Sequence, residues 1–322
     1  MKKAVVLINK LSENPSPDEL DVLHQVEVAE TAIKELGYSS ERIFMDMNLD
    51  LAQKQINEVQ PDLAVNLFEG IIGKPELIYL GSGLLHSLRI PYTGCGVDSI
   101  FITADKVLTK KILKDNNIPT AQWFSPKELD LLEPDKTYII KPLYEDASVG
   151  IDEHSVIKGN NLQIIDDYIK RYANNFFIEE FIDGREFNIS VLGTKDGAKM
   201  LSPAEIIFNN YPDDKPKIMG YTAKWDEQTF EYENTFRTFD FKEDDKKLLD
   251  IIEQIVLKCW TVLNLRGYAR VDLRIDKNNK PFVLEINANP CISSDSGFYA
   301  AAEKSGYSFT EVMQCIIDEA HI

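Results

Sequence analysis

The strongest constraint on the fold lies late in the chain, over residues 268–287. Residues 268–275 (YARVDLRI) alternate apolar and polar side chains, and residues 281–287 (PFVLEIN) do the same. Asp276-Lys-Asn-Asn279 between them has the composition of a turn. Period-two alternation on both sides of a turn specifies an antiparallel hairpin. Val271, Leu273 and Ile275 share one face of the first strand, and Phe282, Leu284 and Ile286 are expected to share one face of the second. A hairpin buries its apolar residues together, which puts Arg270, Asp272, Glu285 and Asn287 on the opposite face. Two carboxylates and an amide are hard oxygen donors and suit Mg²⁺, while a guanidinium beside them suits a developing negative charge. A solvated face with ordinary ion pairs would show the same alternation. The sharp exit at Ala288-Asn289-Pro290 and the hydroxyl-rich loop Cys291-Ile-Ser-Ser-Asp-Ser296 argue for a binding wall instead.

The first hundred residues obey a different pattern. Ala4–Ile8 is wholly apolar, as in a strand buried on both faces. After a polar loop with Pro15 and Pro17, Asp18 can cap a helix in which Val22, Val26, Ala29, Ile33 and Leu36 recur at helical spacing. Strands over 42–47 and 63–68, a helix over 50–59, a helix opened by Pro75 and a short strand over 90–93 follow. Such alternation predicts an α/β unit with a parallel sheet. Gly94 and Gly96 mark a boundary, so domains over 1–97, 98–182 and 183–322 are expected.

In the middle of the chain a helix is expected over 104–116, where residues 103–114 hold four lysines against one aspartate. Lys110, Lys111 and Lys114 read as a solvated face. A strand over 137–141 runs into Lys141-Pro142 and a small-residue loop, Glu145-Asp-Ala-Ser-Val-Gly150. Strands over 176–182 and 186–192, joined by Asp183-Gly184, read as a second hairpin. Residues 226–245 contain eight acids and two bases and read as a mobile, solvated surface segment. A long helix is expected over 243–264.

Composition excludes several functions. The formal net charge of −18 argues against a surface that binds nucleic acid or an anionic membrane, since either needs basic residues. One small positive pocket remains compatible with it. With 44% hydrophobic and 27% charged residues a packed core is expected rather than disorder. The longest early apolar run is too short for a signal peptide or a membrane span, so a cytoplasmic protein is expected. Cys95, Cys259, Cys291 and Cys315 are scattered and read as reduced thiols, and the four histidines show no metal-ligand spacing.

Taken together, these motifs resemble the ATP-grasp ligases, and the D-alanine–D-alanine ligases in particular. The resemblance rests on the hairpin RVDLRI…FVLEINANP, Lys141-Pro142…Asp146-Ala-Ser-Val-Gly150, Glu179-Glu-Phe…Gly184-Arg-Glu186-Phe, and Ile90-Pro-Tyr-Thr-Gly94 followed by Asp105-Lys106. They occur in the family's order from about residue 60 to 297. The resemblance implies an ATP-grasp fold with an N-terminal pre-ATP-grasp domain. It implies a ligase that uses ATP and Mg²⁺ (two ions, with Mn²⁺ as a substitute) to join amino-acid-like substrates through an acylphosphate, and it implies a homodimer. By the same resemblance, Lys106 and Lys141 hold phosphates, and Ser148 and Gly150 belong to the loop that covers them. Glu179, Glu180 and Phe181 form the strand at adenine, and Glu186 meets the ribose. Lys224 reaches the γ-phosphate, while Asp272, Glu285 and Asn287 hold the metal. Arg270 stabilises the tetrahedral intermediate, and Ser296 binds a substrate carboxylate.

Departures from the family pattern cluster on the amino-acid side. Phe68 is expected at the family's histidine position, Trp225 at its loop tyrosine, and Cys291 at a glycine that serves the oxyanion. The acid that holds the first substrate's amine has two candidates, Glu19 and Asp21. A ligase for another amino-acid, carboxylate or amine pair, or a non-catalytic ATP-binding relative, are the competing readings.

Overall fold

The computed structural model describes residues 2–322, which form thirteen strands and eleven α-helices among the described residues. The N-terminal part runs β1 (Lys2–Asn9), α1 (Pro17–Glu35), β2 (Tyr38–Met45), α2 (Leu49–Val59), β3 (Leu63–Asn66) and α3 (Tyr79–Ser87). Its three strands form a parallel sheet in the order β2-β1-β3. Ala4, Val6 and Ile8 pack under Val22, Val26, Ala29 and Ile33 of α1. Val5 and Leu7 face Ile56 of α2 and Leu84 and Leu85 of α3. A strand covered on both sides needs an uninterrupted apolar run, and β1 has one. Residues 90–93 do not form the expected strand. Tyr92 makes a single parallel bridge to Ala64, because Pro91 has no N–H to extend the ladder and Gly94 turns the chain with φ +85°.

The helix expected over 104–116 is α5 (Lys106–Asp115), and a further helix, α4 (Val97–Ala104), runs into it. They meet at Asp105, which is extended and accepts a hydrogen bond from Leu108 N at 2.8 Å, capping α5. Next come β4 (Trp123–Phe124), β5 (Thr137–Pro142), β6 (Val156–Lys158), α6 (Ile165–Tyr172) and β7 (Phe176–Glu180), whose strands form a sheet in the order β4-β7-β5-β6.

The last part contains β8 (Gly184–Thr194), β9 (Gly197–Met200), β10 (Ala204–Phe208), α7 (Tyr221–Trp225), α8 (Phe230–Glu233), β11 (Thr235–Thr238), α9 (Lys246–Val262), β12 (Tyr268–Asp276), β13 (Pro281–Asn287), α10 (Gly297–Lys304) and α11 (Phe309–Asp318). Strands β11-β10-β8-β12-β13 form one sheet, with β9 added to β8. The expected hairpin of 176–182 with 186–192 is therefore absent, since β7 and β8 belong to different sheets. The chain passes so close to β12 at Gly184 that a Cβ there would lie 1.9 Å from the Ile275 carbonyl oxygen. Long-range pairing with β12 replaces the local turn. Residues 226–245 supply α8 and the edge strand β11, paired from Glu205↔Thr238 to Phe208↔Thr235, rather than only surface loop.

Leu248, Ile252, Val256 and Cys259 of α9 cover one face of the large sheet, against Phe187, Ile189, Val191, Val271 and Leu273. On the other face, α10 and α11 pack against Leu192 and Tyr268 at one end, and the rest borders the cleft. No described helix is long and apolar enough to cross a membrane.

Candidate active site

The hairpin of β12 and β13 places its polar face in a cleft of about 810 Å³. Arg270 pairs with Asn287 and Asp272 with Glu285, and all four line the cleft, as alternation requires. The apolar face differs from expectation. A register shift between Asp272 and Leu273 sets Leu273 opposite Val283, so Val283 and Ile286 enter the core and Leu284 turns into the cleft. A β-bulge reverses parity on one strand, which alternation alone cannot show. Leu284 joins Ile139, Phe181, Ile182 and Ile218 in the apolar part of the lining, a slot suited to a flat ring.

Four cations converge on the carboxylates. Lys106 is 5% exposed; its Nζ donates to the Glu145 carbonyl at 2.6 Å and lies 3.3 Å from Asp146 and 3.6 Å from Glu285. Arg270 donates from Nε and Nη2 to the two oxygens of Asp272, at 2.8 and 2.9 Å. Lys224, on α7 above the cleft, has no ion-pair partner among the described residues; burial and the neighbouring Arg270 pull its pKa down. Burial alone would raise Glu285, but Lys106, Lys141, Arg270 and Lys224 together hold its carboxyl down to about 2. Burial raises Asp272 despite Arg270. Two carboxylates paired across strands, with the Asn287 amide two residues on, fit a divalent ion that completes its shell with water and phosphate oxygens.

Lys141 is held from below. Glu179 is 1% exposed, and its two oxygens lie 2.7 Å from Lys141 and 2.7 Å from Lys110. Lys110 is therefore not on a solvated face: it is fully buried and also donates to Thr120 at 2.8 Å. The Glu179 carboxylate is spent on these lysines. Glu180 turns outward to Lys136 at 2.8 Å, so among the three residues Phe181 has its side chain best placed for a ring, over the Arg274 guanidinium. Glu186 is clasped by Arg274 through Nε and Nη2 at 3.2 and 2.8 Å. Sequence reasoning passed over Arg274, yet it continues the parity of Arg270 and Asp272 and was legible by that signal. Its guanidinium also donates to the carbonyls of Ile182 and Lys217, tying together the crossing between the two sheets.

The loop over 145–150 is strained. Ala147 and Ser148 have φ +54° and +64°, which non-glycine residues rarely adopt, and Gly150 has φ +74°. Ser148 Oγ donates to the Met219 carbonyl at 2.7 Å, and Trp225 Nε1 donates to that of Ala147 at 3.1 Å. Tyr221 Oη donates to Asp18 at 2.8 Å. The loop, α7 and the start of α1 are thus strapped over the cleft.

The far end of the cleft is acidic. Glu19 lines its rim, but its carboxylate accepts from Ser12 and Ser16 and closes the capping box of α1. It has little capacity left for a ligand. Asp21 instead meets Cys291 Sγ at 2.8 Å, and Gln25 Nε2 donates to Glu69 at 2.7 Å. Burial and nearby Asp21, Asp146 and Asp18 push Glu69 up to about 7, against the hydrogen bond from Gln25. Phe68 does not face the cleft. It is fully buried against Gly81, where a Cβ would lie 2.7 Å from its own Cβ, and Glu69 is the residue that turns toward the ligand space. The Cys291 thiol is held up by burial and Asp21, which suits a hydrogen-bond donor and not a nucleophile. Ser296 caps α10, accepting from Tyr299 N at 3.2 Å, with its own O–H free to donate.

This arrangement of sheets around a cationic cleft is the ATP-grasp architecture. The solved D-alanine–D-alanine ligase of Bacillus anthracis complexed with ATP superposes with a TM-score of 0.75 at 21% identity, covering 99% of this chain and 97% of that one. The family model for the D-ala D-ala ligase C-terminus matches residues 132–318. The D-alanine–D-alanine ligase of Rickettsia canadensis is 31% identical over 293 residues, 90% of this chain and 76% of that protein. An uncharacterized protein of Sinorhizobium fredii is 28% identical over 264 residues, 80% of this chain and 74% of its own length. The chain belongs to the D-alanine–D-alanine ligase family.

Proposed function

We propose that the protein is an ATP-dependent, ADP-forming ligase that joins a carboxylate to an amine through an acylphosphate. The observation that carries this is the meeting of Lys106, Lys141, Lys224 and Arg270 with Asp272, Glu285 and Asn287 in one cleft whose opposite end is acidic. Cations gather the phosphates, and the acids Asp21 and Glu69 attract the ammonium of an amino-acid donor. Its carboxylate then points back toward the γ-phosphate held by Lys224. Attack there expels ADP, and an amine next attacks the acyl carbon and expels phosphate. Arg270 and Lys224 stabilise the charge that develops in both steps. Asp272, Glu285 and Asn287 would hold magnesium, two ions or manganese in its place, which supplies charge neutralisation of the phosphates. No covalent enzyme intermediate is required.

The relatives' name makes D-alanine the first substrate to test. Glu69 at the amine end and Trp225 in α7 favour a partner pair that departs from it. Incubation with ATP, Mg²⁺ and a panel of D- and L-amino acids should release phosphate for at least one pair. Silence across the panel with nucleotide still bound would leave the non-catalytic reading standing. A homodimer, a cytoplasmic location and domain borders near residues 97 and 182 complete the proposal; sedimentation and limited proteolysis test the first and last.

A further inference from the structure

Gln25 is an amide in the apolar stripe of α1. It stands among Val22, Val26 and Ala29, is 2% exposed, and lies behind the cleft wall rather than in it. A buried amide is costly unless its hydrogen-bonding groups are met. Here they are. Its Oε1 accepts from Ile292 N at 3.3 Å, and its Nε2 donates to Glu69 Oε1 at 2.7 Å and to Asp21 Oδ2 at 3.3 Å. The Ile292 N–H can bond only to the oxygen, so the orientation of the amide is fixed and both carboxylates meet its NH₂ group. The partners come from α1 itself, from the turn after β3 and from the loop after β13 that carries Cys291.

Two carboxylates on one NH₂ group repel each other. The charged groups that act on Glu69 are Asp21 and Asp18 of α1 and Asp146 of the loop over 145–150, all of its own sign. The Tyr268 phenol of β12 and the Cys291 thiol are both pushed up and stay neutral. Gln25 works the other way, since its hydrogen bond favours the ionised carboxylate. Among the described residues Glu69 Oε2 and Asp21 Oδ1 accept no hydrogen bond, so each carboxylate keeps an oxygen for a ligand in the cleft. An ammonium, with three donors and a positive charge, satisfies both oxygens and relieves the repulsion.

We infer that Gln25 is a positioning residue for the donor amino acid: its amide sets Asp21 and Glu69 as one receptor for the donor's ammonium and fastens that receptor to the loop of Cys291 and Ile292. This inference rests on the ligase reading above. The ammonium needs Glu69 ionised, so capture of the donor should rise as pH rises through about 7. Removing the amide takes away the bond that favours ionisation and should move that rise to higher pH.

The test measures kcat/KM for the donor against pH, read by phosphate release with D-alanine as the first probe, in the wild type, Gln25→Leu and Gln25→Glu. Gln25→Leu should raise the donor KM by about tenfold or more near pH 6.5, leave KM for ATP within about twofold, and move the rising limb alkaline by about one pH unit. Gln25→Glu keeps the size, adds a third carboxylate and should move the limb at least as far. A carbon-13 NMR titration of the Glu69 carboxyl in the ligand-free proteins should show the same displacement without any need for turnover. An unmoved limb and an unmoved titration in both variants overturn the inference and leave the ligase reading intact. An equal loss for donor and ATP with the limb unmoved also overturns it, making Gln25 a core residue only. Absence of turnover with every pair in the wild type overturns the ligase reading itself, and with it the part given to Gln25 in the donor site.

Discussion

Lys110 Nζ lies 2.7 Å from Glu179 Oε2, and neither side chain reaches solvent. The other oxygen of Glu179 holds Lys141, so a lysine beneath the cleft helps to place one inside it. Lys110→Met should cost about 3 kcal/mol, since it leaves a buried carboxylate with one cation instead of two. Urea denaturation measures the loss. The double variant with Glu179→Gln should recover part of it, because the orphaned charge is then gone. KM for ATP should rise in the single variant as Glu179 draws Lys141 down.

Glu285 faces four cations, and its carboxyl is held near 2, so it stays ionised throughout the working pH range. Glu285→Gln keeps the shape and removes the charge. Turnover should fall by about a thousandfold while nucleotide binding persists. Phosphate release and calorimetric titration with ATP separate the two. Turnover within tenfold of the wild type would contradict the role given to this carboxylate.

Glu69 should make stability fall as pH rises. Its folded pKa of about 7 exceeds the ordinary 4.5, so between these values the native state binds more protons than the unfolded chain. Stability is then full below pH 4.5 and declines as pH rises toward 7. The displacement corresponds to about 3 kcal/mol. Glu69→Gln keeps an acceptor for Gln25 and should stabilise the unliganded protein at pH 8 but hardly at pH 4.5. Denaturant midpoints at the two pH values test the sign.

Gly150 is required by space as well as by its φ of +74°. A Cβ there would lie 2.0 Å from Tyr172 Oη and 2.9 Å from Pro142 Cγ. Gly150→Ala should cost about 2 kcal/mol and weaken ATP binding by displacing the loop. Adding Tyr172→Phe removes the closest atom and should restore part of both. No restoration would place the whole cost in the backbone angle.

The local patterns were good guides wherever spacing is set within one element. The run Ala4–Ile8, the helical spacing from Val22 to Ile33, and the polar face of Arg270, Asp272, Glu285 and Asn287 are all realised. The candidate metal ligands and the lysines proposed for phosphates could be placed because neighbouring residues on a strand or helix carry their direction with them. Failures came where another part of the chain intervened. Lys110 resembles any surface lysine until Glu179, from a different element, is packed beneath α5. Phe68 and Glu69 differ by one position, and only packing against Gly81 decides which of them faces the core.

Periodicity and side-chain chemistry are properties of short stretches, and from them this chain's strands, helices and store of site residues follow. Pairing is a property of distant stretches. The separation of β7 from β8 into two sheets, the bulge that turns Leu284 inward, and the bond from Gln25 to Glu69 each depend on which surfaces meet. Burial then sets the electrostatics. The same lysine, glutamate or arginine is an ordinary solvated charge or a working group according to the partners and the water that folding leaves around it.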